Sequence, residues 1–245
     1  NRSGSAQDKQ IAAVSLIVFA TLLLGMVVLE AIMLNYLGEP SMAVDFETKA
    51  NLGFVMPYFL AYLIIGGVGL VGVIGLVQTY GSGSASKLVP DLVKLAALGY
   101  FVTFYWLWSA MWIVQHKITL LADVPTAAPE WVLREYTAAD ALWMLPAWGG
   151  LGPSIVLFGG LAWLLLRGAR LLPRITAVLF ALLAVSQLAN LIYIGLRGFH
   201  GGGMFLWAND AVFTAARILA FVMAGAALYT ERGLFARKAS RTRVR

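Results

Sequence analysis

The segment 205-FLWANDAVFTAARILAFVMAGAALY-229 is apolar enough to cross a membrane, yet it carries Asp210, Thr214 and Arg217. These three stand at i, i+4 and i+7, so a helix lines them up on one face. An acid and a base on one stripe of a membrane helix turn away from lipid and into a bundle. What the remaining spans present to that stripe therefore decides how the chain is organised.

Composition puts the whole chain in the same class. Hydrophobic residues make up 60% of the sequence and charged residues 12%, where a soluble domain averages about half apolar and a quarter charged. The chain contains no cysteine, which excludes disulfides, thiolate metal sites and thiol catalysis together. Six apolar runs stand out, at 11–37, 54–80, 92–116, 138–166, 172–196 and 205–230. Each is long enough to cross roughly 30 Å of hydrocarbon at about 1.5 Å per residue. Breaks bearing glycine, proline or charge separate them, among them GEPSMAVDFETKAN, GSGSASKLVPD, RGARLLPR and RGFHGGG. The run from Ile11 to Leu37 exceeds the core of a signal peptide and has no small-residue cleavage pattern after it, so it reads as a retained first span. The expected fold is all-α: one polytopic membrane helix bundle of six transmembrane helices over residues 1–245, with a basic tail at 231–245.

The basic residues set the orientation. With a cytoplasmic N-terminus, the cytoplasmic loops and tail hold Arg2, Lys9, Lys87, Lys94, Arg167, Arg170 and Arg174, and then six more between Arg232 and Arg245. The opposite side holds only Lys49, Lys117, Arg134 and Arg197. The positive-inside rule places both termini in the cytoplasm. The net charge of +6 thus reflects topology, and the tail RGLFARKASRTRVR reads as an anchor on anionic lipid, not as a nucleic-acid site.

With depth assigned, polar groups gather in the outer half. Helical rise puts Asp210 about 7 Å from the outer end of the last span and Arg217 about 18 Å in. The fifth span offers Ser186, Gln187, Asn190 and Tyr193 in its outer half. The first span offers Glu30 and Asn35, the third Ser109, Gln115 and His116, and the fourth Asp140. Arg217 cannot shed its charge, and Asp210 and Glu30 are the acids expected to meet it. Amides and hydroxyls in such bundles also serve as interhelical glue.

Three other stretches are distinctive. In LWMLPAWGGLGPS, Pro146 and Pro153 bracket Gly149, Gly150 and Gly152, which predicts non-helical backbone within the fourth span. Glycines 66, 69, 72 and 75 of the second span predict a close-packing surface. In GYFVTFYWLWSAMW, Phe101, Tyr105, Trp108 and Trp112 form one stripe, either bulk of the core or the wall of a pocket for a flat or cationic ligand. His116 and His200 belong to no spaced motif, so no metal or haem site is expected and no cofactor is implied. Phosphate-binding glycine loops and Ser–His–Asp order are also absent from the sequence.

The stretch 165-LLRGARLLPRITAVLFALLAV-185, a short basic loop followed by Leu-Leu-Pro-Arg opening a span, resembles a large group of uncharacterised bacterial six-helix membrane proteins of similar length. The resemblance implies a bacterial cytoplasmic (inner) membrane setting and brings no activity or site residues with it.

Three functions fit these observations. The first is binding or passage of a small molecule or lipid through an outward-facing polar cavity lined by Arg217, Asp210, Glu30, Asn190, Gln187, Trp108, Trp112 and Asp140. The second is a non-catalytic subunit of a larger membrane complex. The third is a membrane enzyme with Glu30 and Asp210 as acid and base. Nothing in the sequence demands catalysis, and binding ranks first. The expected partners are the bilayer, a lipid or small-molecule ligand, and other membrane subunits or further copies of the chain.

Overall fold

Long apolar runs bounded by polar breaks become helices because in lipid every backbone N–H and C=O must be satisfied within the segment. The computed structural model of the protein describes residues 6–37, 52–82, 86–107, 150–168, 170–197 and 212–230, and its secondary structure there is helical throughout. In chain order the elements are α1 (Ala6–Leu37), α2 (Leu52–Gly81) and α3 (Leu88–Phe101), which continues without a break as a π-helical turn (Val102–Leu107). They are followed by α4 (Gly150–Leu166), α5 (Leu171–Arg197) and α6 (Val212–Thr230). Five of them are long and apolar enough to cross a membrane, and α4 is a shorter apolar helix over its described residues. Large apolar side chains face outward along these helices, with Ile64 61%, Leu182 59% and Val185 62% exposed. On a soluble protein such continuous faces would invite association; on helices of this length they are the lipid-facing surface of a multi-pass membrane protein.

Small residues on α2 let the backbones close up. α1 packs along α2, and α2 along α3. The stripe Gly66, Gly69, Gly72 and Gly75 lies at these contacts, as its spacing predicts. A Cβ on Gly69 would come within 2.5 Å of Phe101 and 2.7 Å of Phe19, and one on Gly72 within 2.8 Å of Leu16. Gly75 meets Ala12 in the same way, and Gly66 meets Tyr105 and Trp106. Without a hydrophobic driving force between helices in lipid, this close van der Waals approach is what holds them together.

The room left by the glycines is filled with rings. Phe19 of α1 meets Phe101, Tyr105 and Phe221 edge-on, with centroids 4.9–5.7 Å apart. Phe221 of α6 meets Phe180 of α5 at 5.4 Å, and Phe180 stacks on Phe158 of α4 at 6.0 Å. Five of the six helices thus meet in one buried aromatic belt, and α2 supplies the flat surface behind it.

In the fourth span, Gly150, Leu151, Gly152 and Pro153 are helical. The expected non-helical backbone is not found at 150–153, and its remaining part, 146–149, lies outside the described residues. Gly150 and Pro153 serve packing: a Cβ on Gly150 would meet Phe104 at 2.5 Å, and Pro153 lies against Gly99.

Gly69→Val should lower the stability of the detergent-solubilised protein by about 1–3 kcal/mol, the usual cost of overpacking a tight contact. Gly67 has nothing within 4 Å of its Cβ position, so Gly67→Ala should be neutral or stabilising by up to about 1 kcal/mol. Denaturation midpoints of the two variants measure the difference, and equal midpoints would show that the glycine stripe does not govern packing.

Candidate functional site

Arg217 lies one helical turn beyond Phe221 on the buried face of α6, and only 9% of its surface is exposed. Its backbone is about 20 Å along α6 from Thr230. Its guanidinium donates from Nη1 to the hydroxyl of Tyr100 at 2.8 Å. The ring of Phe213 lies 5.4 Å from Cζ, close enough for a cation–π contribution. Helical side chains slant toward the N-terminus of their helix, and the nearness of Phe213, one turn toward that end, fits this slant.

Tyr100 is held on three sides, by Phe101, Phe104 and Phe158, with ring centroids 5.0–5.4 Å away. Directly after Phe101, α3 runs into the π-helical turn. In an α-helix, residues five apart diverge, whereas the wider π turn with its i→i+5 bonds brings them onto one face. Tyr100 and Tyr105 accordingly meet at 6.0 Å, while Phe101 stacks on Tyr105 at 5.5 Å. Thr103 steadies the transition from α to π by donating its hydroxyl to the carbonyl of Gly99 at 2.7 Å. Tyr105 is fully buried, with Arg217, Tyr100 and Tyr62 as its electrostatic neighbours. The indole of Trp106 reaches across to the Leu63 carbonyl at 3.3 Å and fixes the turn against α2.

Gln187 is the second buried polar residue at this level, 3% exposed, and its Oε1 has no hydrogen-bond partner among the described residues. The contact of Phe180 with Phe221 sets the register between the antiparallel helices α5 and α6. Outward from it, Gln187 lies about 10 Å along α5 and Arg217 about 6 Å along α6. By helical rise the two buried polar residues lie within about 5 Å of each other in height along the bundle. Asn190, one turn further along α5, is half-buried. This layer can donate from a fixed cation and from phenols, and it can accept at an amide oxygen.

Among the residues expected from the sequence, Arg217 and Gln187 are buried and Asn190 is half-buried. Glu30 lies on α1, but its side chain is outside the described set, as are Asp210, Trp108, Trp112 and Asp140. Tyr100, the residue bonded to Arg217, is not among those picked from the sequence, because the α-helical stripe through Phe101 and Tyr105 leaves it on another face. Among the described residues no group of three His, Asp or Glu side chains is placed to hold a metal ion. Comparison with protein-family models, curated proteins and solved structures returns no match for this chain.

Tyr100→Phe removes the acceptor of a charged donor and should cost about 1.5–3 kcal/mol. In an Arg217→Leu background the same change should cost at least about 1 kcal/mol less, the coupling expected of residues in direct contact. A double-mutant cycle on unfolding in detergent reads the difference directly. Equal costs in both backgrounds would show that the hydroxyl does not support Arg217.

Proposed function

We propose that the protein is a six-span membrane protein of the bacterial cytoplasmic membrane, with both termini in the cytoplasm, that binds a small molecule or lipid through a polar layer around Arg217. The carrying observation is the guanidinium itself, buried in an apolar bundle and hydrogen-bonded to a tyrosine hydroxyl. A leucine there would pack the core with no charge to desolvate, whereas an arginine near mid-membrane costs at least about 2.5 kcal/mol even on the lenient insertion scale. Intramembrane ionisable residues are accordingly associated with binding sites and conduction paths. The buried Oε1 of Gln187 supports the same reading, since it supplies an acceptor in the layer where Arg217 supplies donors. Asp210, Glu30 and Asp140 complete the proposed lining from the outer side, with Trp108 and Trp112 as its aromatic wall. The basic residues gathered at the other end of the helices, from Lys9 and Lys87 to Arg174, support the orientation.

Arg217→Gln keeps a donor for the Tyr100 hydroxyl and removes the charge. Protein purified from its native membrane in mild detergent, extracted with organic solvent and analysed by mass spectrometry, should carry a small molecule or lipid at near-stoichiometric amount. The Arg217→Gln protein, folded by gel filtration and melting, should lack it. The same complement of molecules in both proteins would contradict the binding reading.

A further inference from the structure

We propose that the turn between α4 and α5 is a binding site for the phosphate of an anionic phospholipid. α4 ends in a tightened turn, where the N–H groups of Arg167 and Gly168 donate to the carbonyls of Leu164 and Leu165 at 3.3 and 2.9 Å. Pro173 packs directly on Gly168, where a Cβ would come within 2.8 Å of it. The reversal is therefore compact, and it brings Arg167, Arg170 and Arg174 to one end of the bundle.

Each of the three arginines is held by a contact that uses only part of its hydrogen-bonding capacity. The Arg167 guanidinium lies 3.5 Å over the ring of Trp163, which engages its face and leaves its in-plane donors. Arg170 donates from Nη1 to the carbonyl of Thr230 at the end of α6, at 3.0 Å. Arg174 donates from Nε to the carbonyl of Gly168 at 3.3 Å, leaving both Nη groups. A guanidinium has five N–H donors in a planar fork that matches phosphate oxygens. None of the three is paired with a carboxylate among the described residues; the ion pair of Asp91 with Lys94 lies on α3. Each guanidinium is thus partly held in place before any anion arrives, which lowers the entropy cost of binding.

The surroundings select a lipid over a free anion. Leu166, Leu171 and Val178 are 55%, 74% and 55% exposed beside the arginines. A soluble anion leaves those side chains uncovered, whereas a phospholipid lays its acyl chains over them with its phosphate on the arginines. Trp163, under the Arg167 guanidinium, is of a residue type common at membrane boundaries. A zwitterionic headgroup brings a cation back to three positive charges, so a headgroup with net negative charge fits best.

The test is lipid binding to the full-length protein in detergent, read by native mass spectrometry and by melting temperature. Phosphatidylglycerol should bind and raise the melting temperature, whereas phosphatidylcholine and inorganic phosphate at equal concentration should not. Arg167→Gln with Arg174→Gln spares the Arg170 contact to α6 and should weaken phosphatidylglycerol binding roughly thirtyfold, from the usual contribution of two basic residues at a membrane surface. Lys87→Gln with Lys94→Gln, at the same end but outside the turn, should leave binding unchanged. Should the glutamine pair fail to fold, Arg167→Lys with Arg174→Lys keeps the charge, loses the fork, and should weaken binding roughly threefold or more. Wild-type affinity in the folded glutamine or lysine pair, equal binding of phosphatidylcholine, or loss of binding in the Lys87/Lys94 variant would overturn the site. Displacement of phosphatidylglycerol by millimolar phosphate would overturn its assignment to a lipid.

Discussion

A guanidinium that cannot lose its proton, held inside a bundle of apolar helices, constrains everything packed around it. Arg217 has to be solvated by protein, because lipid offers it nothing at that depth. The Tyr100 hydroxyl at 2.8 Å supplies part of that solvation, from the last regular turn of α3, and directly after it α3 departs from regular geometry. The π-helical turn at Val102–Leu107 is that departure. Thr103 donates its hydroxyl to the Gly99 carbonyl at the junction, a back-bond that bends helices. A turn of this type is rare and clusters at functional positions, which agrees with its place one turn from the buried charge.

The apolar half of the structure supplies rigidity. The α2 glycines bring α1 and α3 close enough for Phe19, Phe101 and Tyr105 to interlock. The same belt continues through Phe221, Phe180 and Phe158, so α4, α5 and α6 are registered on the rings that support Tyr100. The polar layer of Arg217, Tyr100 and Gln187 rests on this belt. At the opposite end of the same helices the arginines of the α4–α5 turn anchor to backbone carbonyls and to Trp163. Two kinds of arginine site thus coexist on one bundle, one enclosed by rings and one set among exposed leucines.

Much of the helical framework is legible in the sequence, because long apolar runs with polar breaks have few other ways to satisfy their backbones in lipid. The described helices fall within or beside the expected runs, α1 beginning five residues earlier, at Ala6 instead of Ile11. The glycine stripe of α2 is legible for the same reason, since small residues at helical spacing have one common use in membranes. The inward face of Arg217 comes from energetics. Its partner Tyr100 does not, because a pattern read at about 3.6 residues per turn follows the aromatic stripe through Phe101 and Tyr105 and leaves Tyr100 on the neighbouring face. The glycines and proline of 150–153 read differently in the structure: the backbone there is helical, and Pro153 packs on Gly99.

Whether Arg217 is solvated by the protein interior or by lipid headgroups is measured most directly by an experimental structure in a lipid nanodisc, at a resolution that shows side chains. Solvation by the interior requires the guanidinium within hydrogen-bonding distance of the Tyr100 hydroxyl, beside the ring of Phe213, with the π turn of α3 intact. A guanidinium extended out of the bundle into the headgroup layer, with Tyr100 turned elsewhere, would contradict it.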